Sequence, residues 1–194
     1  MFYARNLPHW QLECASFFVT WRLYGSLPAQ KRTARNGCAT GGRTLQESAG
    51  QRFKRLDQAL DRATYGPRWL KSTEVADAVL RAIQRGEKEL HYFALHAFVI
   101  LPNHVHLLIT PRIELPRIMN GLKGSTAHEA NIILNRISKP FWQDESFDHW
   151  VRSSKEFDSI RDYVERNPVA AGLVNYVGGW RWSSGYAPKP VKQA

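Results

Sequence analysis

Apolar and polar positions follow strand-like patterns in four places along the chain. Residues 17–24 are aromatic and β-branched and end at a Gly-Ser-Leu-Pro turn, which predicts a first strand. Residues 92–100 and 104–110 predict two further strands joined by Leu-Pro-Asn, because proline fixes φ and asparagine tolerates turn geometry. Residues 141–147 predict a fourth strand.

Helical spacing of apolar residues predicts helices over residues 53–63, 72–86, 115–137 and 155–166. Ser72 or Thr73 can cap the second helix, and we expect Gly86 to end it. We expect the last helix to end at Asn167, because the residue before a proline avoids helical geometry. Together these elements predict an α+β sandwich whose antiparallel sheet is covered by helices on one face.

The composition indicates a globular protein with a polyanionic partner. The chain has 194 residues, a 43% apolar fraction and a net charge of +10. Nucleic acid is the commonest such partner, although charge does not distinguish DNA from RNA. Cys14 and Cys38 have neither metal-ligand nor disulfide spacing. With no signal-peptide pattern and no apolar run of transmembrane length, we expect a soluble, cytoplasmic protein without a membrane partner.

Much of the positive charge lies around a segment rich in glycine, serine and threonine. Residues 29–50 predict a mobile surface loop, and residues 31–55 hold seven basic side chains against one acid, a net +6. A solvated loop and a set of phosphate contacts both fit this pattern. The candidate nucleic-acid contacts along the chain are Arg22, Arg32, Arg35, Arg43, Arg52 and Lys123.

Two histidines mark the start of the predicted third strand. His104 and His106 are two residues apart, so their side chains point to one face while Val105 points to the other. Two neutral imidazoles side by side can hold a divalent metal ion. Two histidines on the polar face of a half-buried strand fit the spacing as well, since His-x-His alone is a weak motif.

The predicted last helix carries a tyrosine beside its apolar stripe. Phe157, Ile160 and Val164 form the stripe, Tyr163 lies next to it, and Asn167 lies one turn further along the same edge. Tyr163 and Asn167 can therefore face one site. A boundary tyrosine with a packed ring and a hydrated hydroxyl fits the same pattern.

Two segments together resemble a known family. Residues 101–106, Leu-Pro-Asn-His-Val-His, and residues 163–174, which begin Tyr-Val-Glu-Arg-Asn-Pro, resemble the single-tyrosine transposases of the HUH group. Within that group the chain is most similar to the REP-associated tyrosine transposases, which act on repeated hairpin sequences. Pro8-His9-Trp10 and residues 17–28 also resemble the start of that family. We assign residues 1–178 to this domain and residues 179–194 to a C-terminal tail.

The resemblance implies a role for each matching residue. His104 and His106 would be metal ligands, Asn167 a third ligand, and Tyr163 the nucleophile that forms a 5′-phosphotyrosine bond. The ion would be Mg²⁺ or Mn²⁺, and the partner would be single-stranded DNA with hairpins. The family fold implies a ferredoxin-like α+β sandwich with a central antiparallel sheet of about four to five strands and helices packed on it. A monomer and a homodimer are both compatible.

Two other functions fit the residues. One is a hairpin-binding protein that keeps the fold without catalysis. The other is a metal-dependent phosphoester hydrolase that uses His104 and His106 without a covalent step. The net charge of +10 suits a polynucleotide better than a small substrate.

Overall fold

A four-stranded antiparallel sheet organises the molecule. In a computed structural model, which describes residues 15–28 and 49–187, the strand order is β2-β3-β1-β4. The strands are β1 (Phe17–Arg22), β2 (Phe93–Ile100), β3 (His104–Pro111) and β4 (Phe147–Trp150). The helices are α1 (Ala49–Arg62), α2 (Thr73–Lys88), α3 (Leu115–Ile133) and α4 (Ser154–Ala170). The predicted α+β class with a four-stranded antiparallel sheet is therefore confirmed. None of the helices in the described ranges is long and apolar enough to cross a bilayer.

Helices cover both faces of the sheet, where the sequence predicted one covered face. α2 and α3 pack on the face that carries Val105, Leu107 and Ile109. α1 and α4 cover the opposite face, where Phe18 and Leu108 lie. The reason is that β3 has buried side chains at every position from 104 to 109, so both of its faces require cover.

The fourth strand lies further along the chain than residues 141–147. β4 begins only at Phe147, and Trp142 pairs with Leu23 through one isolated bridge. Packing explains the apolar pair that suggested a strand: the Phe141 ring stacks on Trp69, and the Trp142 indole donates a hydrogen bond to the Thr126 hydroxyl at 2.9 Å. These aromatic residues are thus buried by side-chain contacts beside the sheet.

Three helix ends also differ from the prediction. α4 continues through Pro168 to Ala170, and α3 ends at Ile133 because Asn135 takes a left-handed φ of 50°. Gly86 lies inside α2, where a Cβ would stand 2.7 Å from the Phe93 ring. Glycine there allows close approach between helix and strand instead of ending the helix.

Residues assigned to the C-terminal tail cover the open edge of β2. The Ile100 amide donates to the Trp182 carbonyl at 2.8 Å, and the Ser184 amide donates to the Phe98 carbonyl at 2.9 Å. The Trp182 indole also donates to Asp77 on α2. This pairing protects a strand edge from other partners. The division of the chain at residue 178 stays a prediction. The predicted loop lies outside the described residues except for its last two positions, which begin α1.

Candidate functional site

The two histidines of β3 form the centre of a buried polar cluster. His104 and His106 are fully buried on the face covered by α1 and α4, and their Nε2 atoms lie 3.2 Å apart. Asp57 of α1 places its Oδ1 atom 3.4 Å from Nε2 of His106 and 3.8 Å from Nε2 of His104. One ligand atom from each of these three residues lies within 4.8 Å of the others, which is a geometry that can hold a metal ion.

A second carboxylate joins this cluster from the same helix. Asp61 Oδ1 lies 3.5 Å from Nε2 of His104. Asp57 and Asp61 are four residues apart, so they lie on one face of α1. The sequence patterns alone did not indicate either residue. The signal in the sequence was this acidic pair at helical spacing inside a predicted helix, residues 53–63, which the structure extends to Ala49–Arg62.

Hydrogen bonds behind the histidines orient their rings. Nδ1 of His104 donates to Oδ1 of Asn103 at 2.7 Å, and Nδ2 of Asn103 donates to the Leu60 carbonyl at 3.0 Å. The Leu60 carbonyl can only accept a hydrogen bond, so the nitrogen of the Asn103 amide must face it and the oxygen must face His104. His104 therefore carries its proton on Nδ1, and the lone pair of its Nε2 points toward the cluster. Nδ1 of His106 lies 2.8 Å from the Thr20 hydroxyl. Such outer contacts are typical of histidine metal ligands.

Tyr163 and Asn167 lie directly beside this cluster. Nδ2 of the buried Asn167 donates to the Tyr163 hydroxyl at 3.4 Å and lies 3.5 Å from Nε2 of His106. The Tyr163 ring packs edge-on against Phe18 at 6.0 Å, yet the residue is 37% exposed. The structure therefore brings the four residues selected from the sequence to one place and leaves the tyrosine accessible.

Burial sets the ionisation of the cluster. Burial, together with the charge of Asp61, raises the pKa of Asp57 to about 8. Burial raises the pKa of Asp61 to about 6, against a hydrogen bond from Asn167 that lowers it. Burial lowers the pKa of His106 to about 3 and that of His104 well below its usual range. The imidazoles are thus neutral, which is the form that binds metal ions.

The donor set fits a divalent cation. Oδ1 atoms of Asp57, Asp61 and Asn167 are buried without a hydrogen-bond partner among the described residues. Buried polar atoms are normally paired, so the unpaired carboxyl oxygens of Asp57 and Asp61, which lie 3.4–3.8 Å from the imidazoles, indicate a ligand that supplies positive charge. Asp57 lies within 3.8 Å of both histidines and is a candidate ligand that the sequence patterns did not indicate, whereas Asn167 as third ligand stays a prediction.

The candidate DNA contacts divide into one exposed side chain, two side chains that hydrogen-bond to the protein, and three that lie outside the described residues. Arg52 is exposed on α1. Arg22, the cross-strand neighbour of His104, is half-buried, and its guanidinium donates to the Ser26 hydroxyl at 3.4 Å. Lys123 lies on α3, on the far side of the sheet, and donates to the Asp144 carbonyl at 2.6 Å. Arg32, Arg35 and Arg43 lie outside the described residues.

Residues 65–167 match the sequence profile of the family described as "Transposase IS200 like". This range is more than half of the chain, so the chain belongs to the IS200-like transposase family. The matched range includes His104, His106, Tyr163 and Asn167 but starts after Asp57 and Asp61.

Individual relatives agree with this family. The chain is 28% identical over 95 residues to the "REP-associated tyrosine transposase" of Escherichia coli K12, which covers 47% of this chain and 54% of the relative. It is 28% identical over 110 residues to a "Putative REP-associated tyrosine transposase" of Haemophilus influenzae, covering 48% of this chain and 60% of the relative. The matches thus span little more than half the length of these curated relatives.

A solved structure supports the fold. It is described as a REP-associated tyrosine transposase bound to a REP hairpin, with a TM-score of 0.54 and 18% identity. The match covers 97% of this chain and 89% of the other. At this identity the likeness bears on the fold alone.

Proposed function

We propose that this chain is a metal-dependent transposase that cuts and rejoins single-stranded DNA at hairpin-containing, REP-type repeats through a 5′-phosphotyrosine intermediate. The observation that carries the proposal is the continuous contact from the Tyr163 hydroxyl through Asn167 to His106. This contact joins an accessible nucleophile to a buried cluster that fits a metal ion. Membership of the transposase family supports the same substrate class.

Asp57, His104 and His106 would hold the ion, Mg²⁺ or Mn²⁺. Asn167 would add its amide oxygen as a further ligand by turning its side-chain amide, because Nδ2 is the atom that now lies 3.5 Å from Nε2 of His106. When bound, such an ion polarises the scissile phosphate and stabilises the charge that builds on it. Magnesium prefers oxygen ligands, so a site with two imidazoles suits Mn²⁺ at least as well.

Tyr163 supplies the covalent step. A bond forms between its side-chain oxygen and phosphorus, and the bond from phosphorus to the 3′ oxygen of the preceding nucleotide breaks. The tyrosine hydroxyl loses a proton and the leaving oxygen gains one, so a free 3′-OH is released. The hydrogen bond from Asn167 orients the tyrosine oxygen. Because the phosphotyrosine bond keeps the energy of the phosphodiester, a second 3′-OH can reverse the step and join a new strand.

DNA binding outside the centre would use basic side chains. Arg52 is exposed near the start of α1, the element that also carries Asp57. Arg32, Arg35 and Arg43 extend the basic segment that precedes this helix. Arg22 and Lys123 are weaker candidates for phosphate binding than Arg52, because each already donates a hydrogen bond to a group of the protein. Phosphate contacts would supply affinity without sequence preference.

A phosphoester hydrolase without a covalent step is the second candidate. The observation that favours it is Asp61, a half-buried carboxylate whose buried Oδ1 atom has no hydrogen-bond partner among the described residues and lies 3.5 Å from Nε2 of His104. Such a group can take a proton from an attacking water molecule.

Tyr163→Phe separates the two candidates. The variant keeps the ring and removes one oxygen, so we expect the loss of at most about 1 kcal/mol of stability. Cleavage of hairpin-containing single strands with Mn²⁺ should vanish. Wild type should form an SDS-resistant adduct that carries only the 3′-side fragment, through its 5′ end. Cleavage by the Phe variant, or wild-type cleavage that never yields the adduct, would favour the hydrolase.

A further inference from the structure

Two exposed tyrosines lie on neighbouring turns that follow β1 and α1, the elements next to the buried polar cluster. Tyr24 is 51% exposed and Tyr65 is 53% exposed. Tyr24 lies two residues beyond Arg22, whose cross-strand partner is His104. Tyr65 lies four residues beyond Asp61. One turn therefore follows α1, which carries both aspartates of the cluster, and the other follows β1, which pairs with the strand of the two histidines.

Backbone contact between two glycines holds these turns together. Gly25 and Gly66 both have a φ of +76°, in the left-handed region. A Cβ on Gly66 would stand 2.1 Å from the Gly25 carbonyl oxygen and 2.8 Å from the Ser26 Cα atom. Only glycine fits such an approach. Tyr24 and Tyr65 are each one residue from the point of contact, so backbone packing determines their relative position.

The same turns are hydrogen-bonded to the loop that orients His104. The Leu23 amide donates to the Asn103 carbonyl at 2.8 Å, and the Asn103 side chain donates to the Leu60 carbonyl. The Tyr24 amide donates to the Phe141 carbonyl at 2.8 Å. The two exposed rings are thus attached to the rigid framework of the site.

The segment around Tyr65 is cationic. Residues 62–73 contain Arg62, Arg68 and Lys71 and no acidic residue, and all three basic side chains are exposed. Exposed aromatic rings flanked by cations are typical of sites for single-stranded nucleic acid, where rings stack on bases and cations contact phosphates. A strand crossing these turns would meet both kinds of group.

We propose that Tyr24 and Tyr65 form a stacking platform for unpaired bases of the DNA strand next to the phosphate attacked by Tyr163. The identity of the strand rests on the proposed function, but the platform is a separate binding surface. Paired bases hide their faces in the duplex, so the platform favours an unpaired strand. It also places that strand along the side of the cluster formed by α1 and β1.

The test measures binding without chemistry. Full-length Tyr163→Phe protein in EDTA is titrated into a fluorescein-labelled oligodeoxythymidine of about fifteen nucleotides, and separately into a duplex of equal length. Adding Tyr24→Ala and Tyr65→Ala should weaken single-strand binding about tenfold or more and duplex binding less than about twofold. Replacing both tyrosines by phenylalanine should keep single-strand affinity within about twofold, because the rings remain.

Tyr186→Ala is the matched control, since Tyr186 is 44% exposed and lies after the segment that pairs with β2. It should leave single-strand affinity unchanged. The platform is overturned if the alanine pair binds single strands like its parent, if duplex binding falls equally, or if phenylalanine fails to restore binding. Circular dichroism must show that each variant is folded.

The platform and the proposed chemistry fail in different ways. If wild type forms no tyrosine adduct while the alanine pair still weakens single-strand binding, the chemistry is wrong and the platform stands. If the adduct forms and the alanine pair binds like its parent, the platform is wrong and the chemistry stands.

Discussion

The two faces of the central sheet differ in chemistry although the same strands supply both. On the face under α2 and α3, β3 contributes Val105, Leu107 and Ile109 to the larger apolar core. On the face under α1 and α4, the same strand contributes His104 and His106, and of its described residues only Leu108 joins the smaller apolar cluster. One face stabilises the fold, and this stability allows the other face to bury polar groups.

Among the described residues, the unpaired buried atoms of the polar face include carboxyl oxygens, whereas those beside the apolar core belong to the Trp21 indole, the Asn131 amide and the Arg136 guanidinium. Each buried polar atom without a partner costs about 1–3 kcal/mol. Unpaired carboxyl oxygens of Asp57 and Asp61 lie close to two neutral imidazoles. We therefore expect the stability of this face, unlike that of the other, to depend on metal binding and pH.

The largest effect should come from removing both histidines. We expect His104→Ala with His106→Ala to abolish metal-dependent cleavage and leave hairpin affinity largely intact, because phosphate contacts elsewhere dominate binding. Cleavage gels and gel-shift assays measure the two properties. His149→Ala, on β4, is a control that should keep cleavage. A double variant that cuts at the wild-type rate would place the metal site elsewhere.

Adjacent leucines of β3 provide a direct comparison of the two faces. Leu107 and Leu108 are both fully buried, but they point to opposite faces. Each alanine substitution should cost about 2–5 kcal/mol in chemical denaturation. Only Leu108→Ala should also weaken Mn²⁺ binding, since it loosens the cluster around His106. Equal effects of both substitutions on Mn²⁺ affinity would remove the distinction between the faces.

The pH dependence of stability should follow Asp57. In the metal-free protein, burial raises the folded-state pKa of Asp57 to about 8 from an ordinary 3.8. The stability contributed by its protonated form is complete below about pH 4 and is lost as pH rises through about 8. As pH rises from about 6 to about 9, the free energy of unfolding of the metal-free protein should therefore fall less in the Asp57→Asn variant than in wild type.

Mn²⁺ must displace the proton of Asp57, so it should raise the wild-type Tm more at about pH 8 than at about pH 6. The Asn variant should show little of this increase. Asp162→Asn, an exposed change on α4, serves as the control and should behave like wild type. A wild-type response to Mn²⁺ in the Asp57 variant would remove Asp57 from the ligand set.

The smallest effect should come from the start of α4. Glu156 accepts hydrogen bonds from the Arg152 amide at 2.7 Å and from the His149 side chain at 2.8 Å, and these bonds lower its pKa. Because the pair is solvent-accessible and screened, Glu156→Gln should cost at most about 1 kcal/mol. The difference from wild type should be present at neutral pH and shrink as pH falls below about 4.5. A difference that grows in acid would contradict this assignment.

Local patterns predicted most of the secondary structure and selected four of the six side chains that the structure brings together, namely His104, His106, Tyr163 and Asn167. The spacing of His104 and His106 predicted their common face, because side chains alternate along any strand. The pattern could not predict that Phe141 and Trp142 are buried outside a strand, since an apolar pair only shows that burial is required. The predicted end of α4 at Asn167 was also wrong, because the helix continues through Pro168 to Ala170. Pro168 lies in the last turn, where the carbonyls of residues 167–169 accept hydrogen bonds from the amides of residues 171–173.

By itself, the sequence determined most of the strands and helices, which residues face together along each of them, and which family the chain resembles. Only the tertiary structure decided that Asp57 and Asp61 lie beside the histidines and that the turns carrying Tyr24 and Tyr65 are in backbone contact. These groups lie on elements separated by tens of residues, and local periodicity carries no information on how a helix docks. Their proximity depends on packing of α1 against the sheet and on the contact between Gly25 and Gly66.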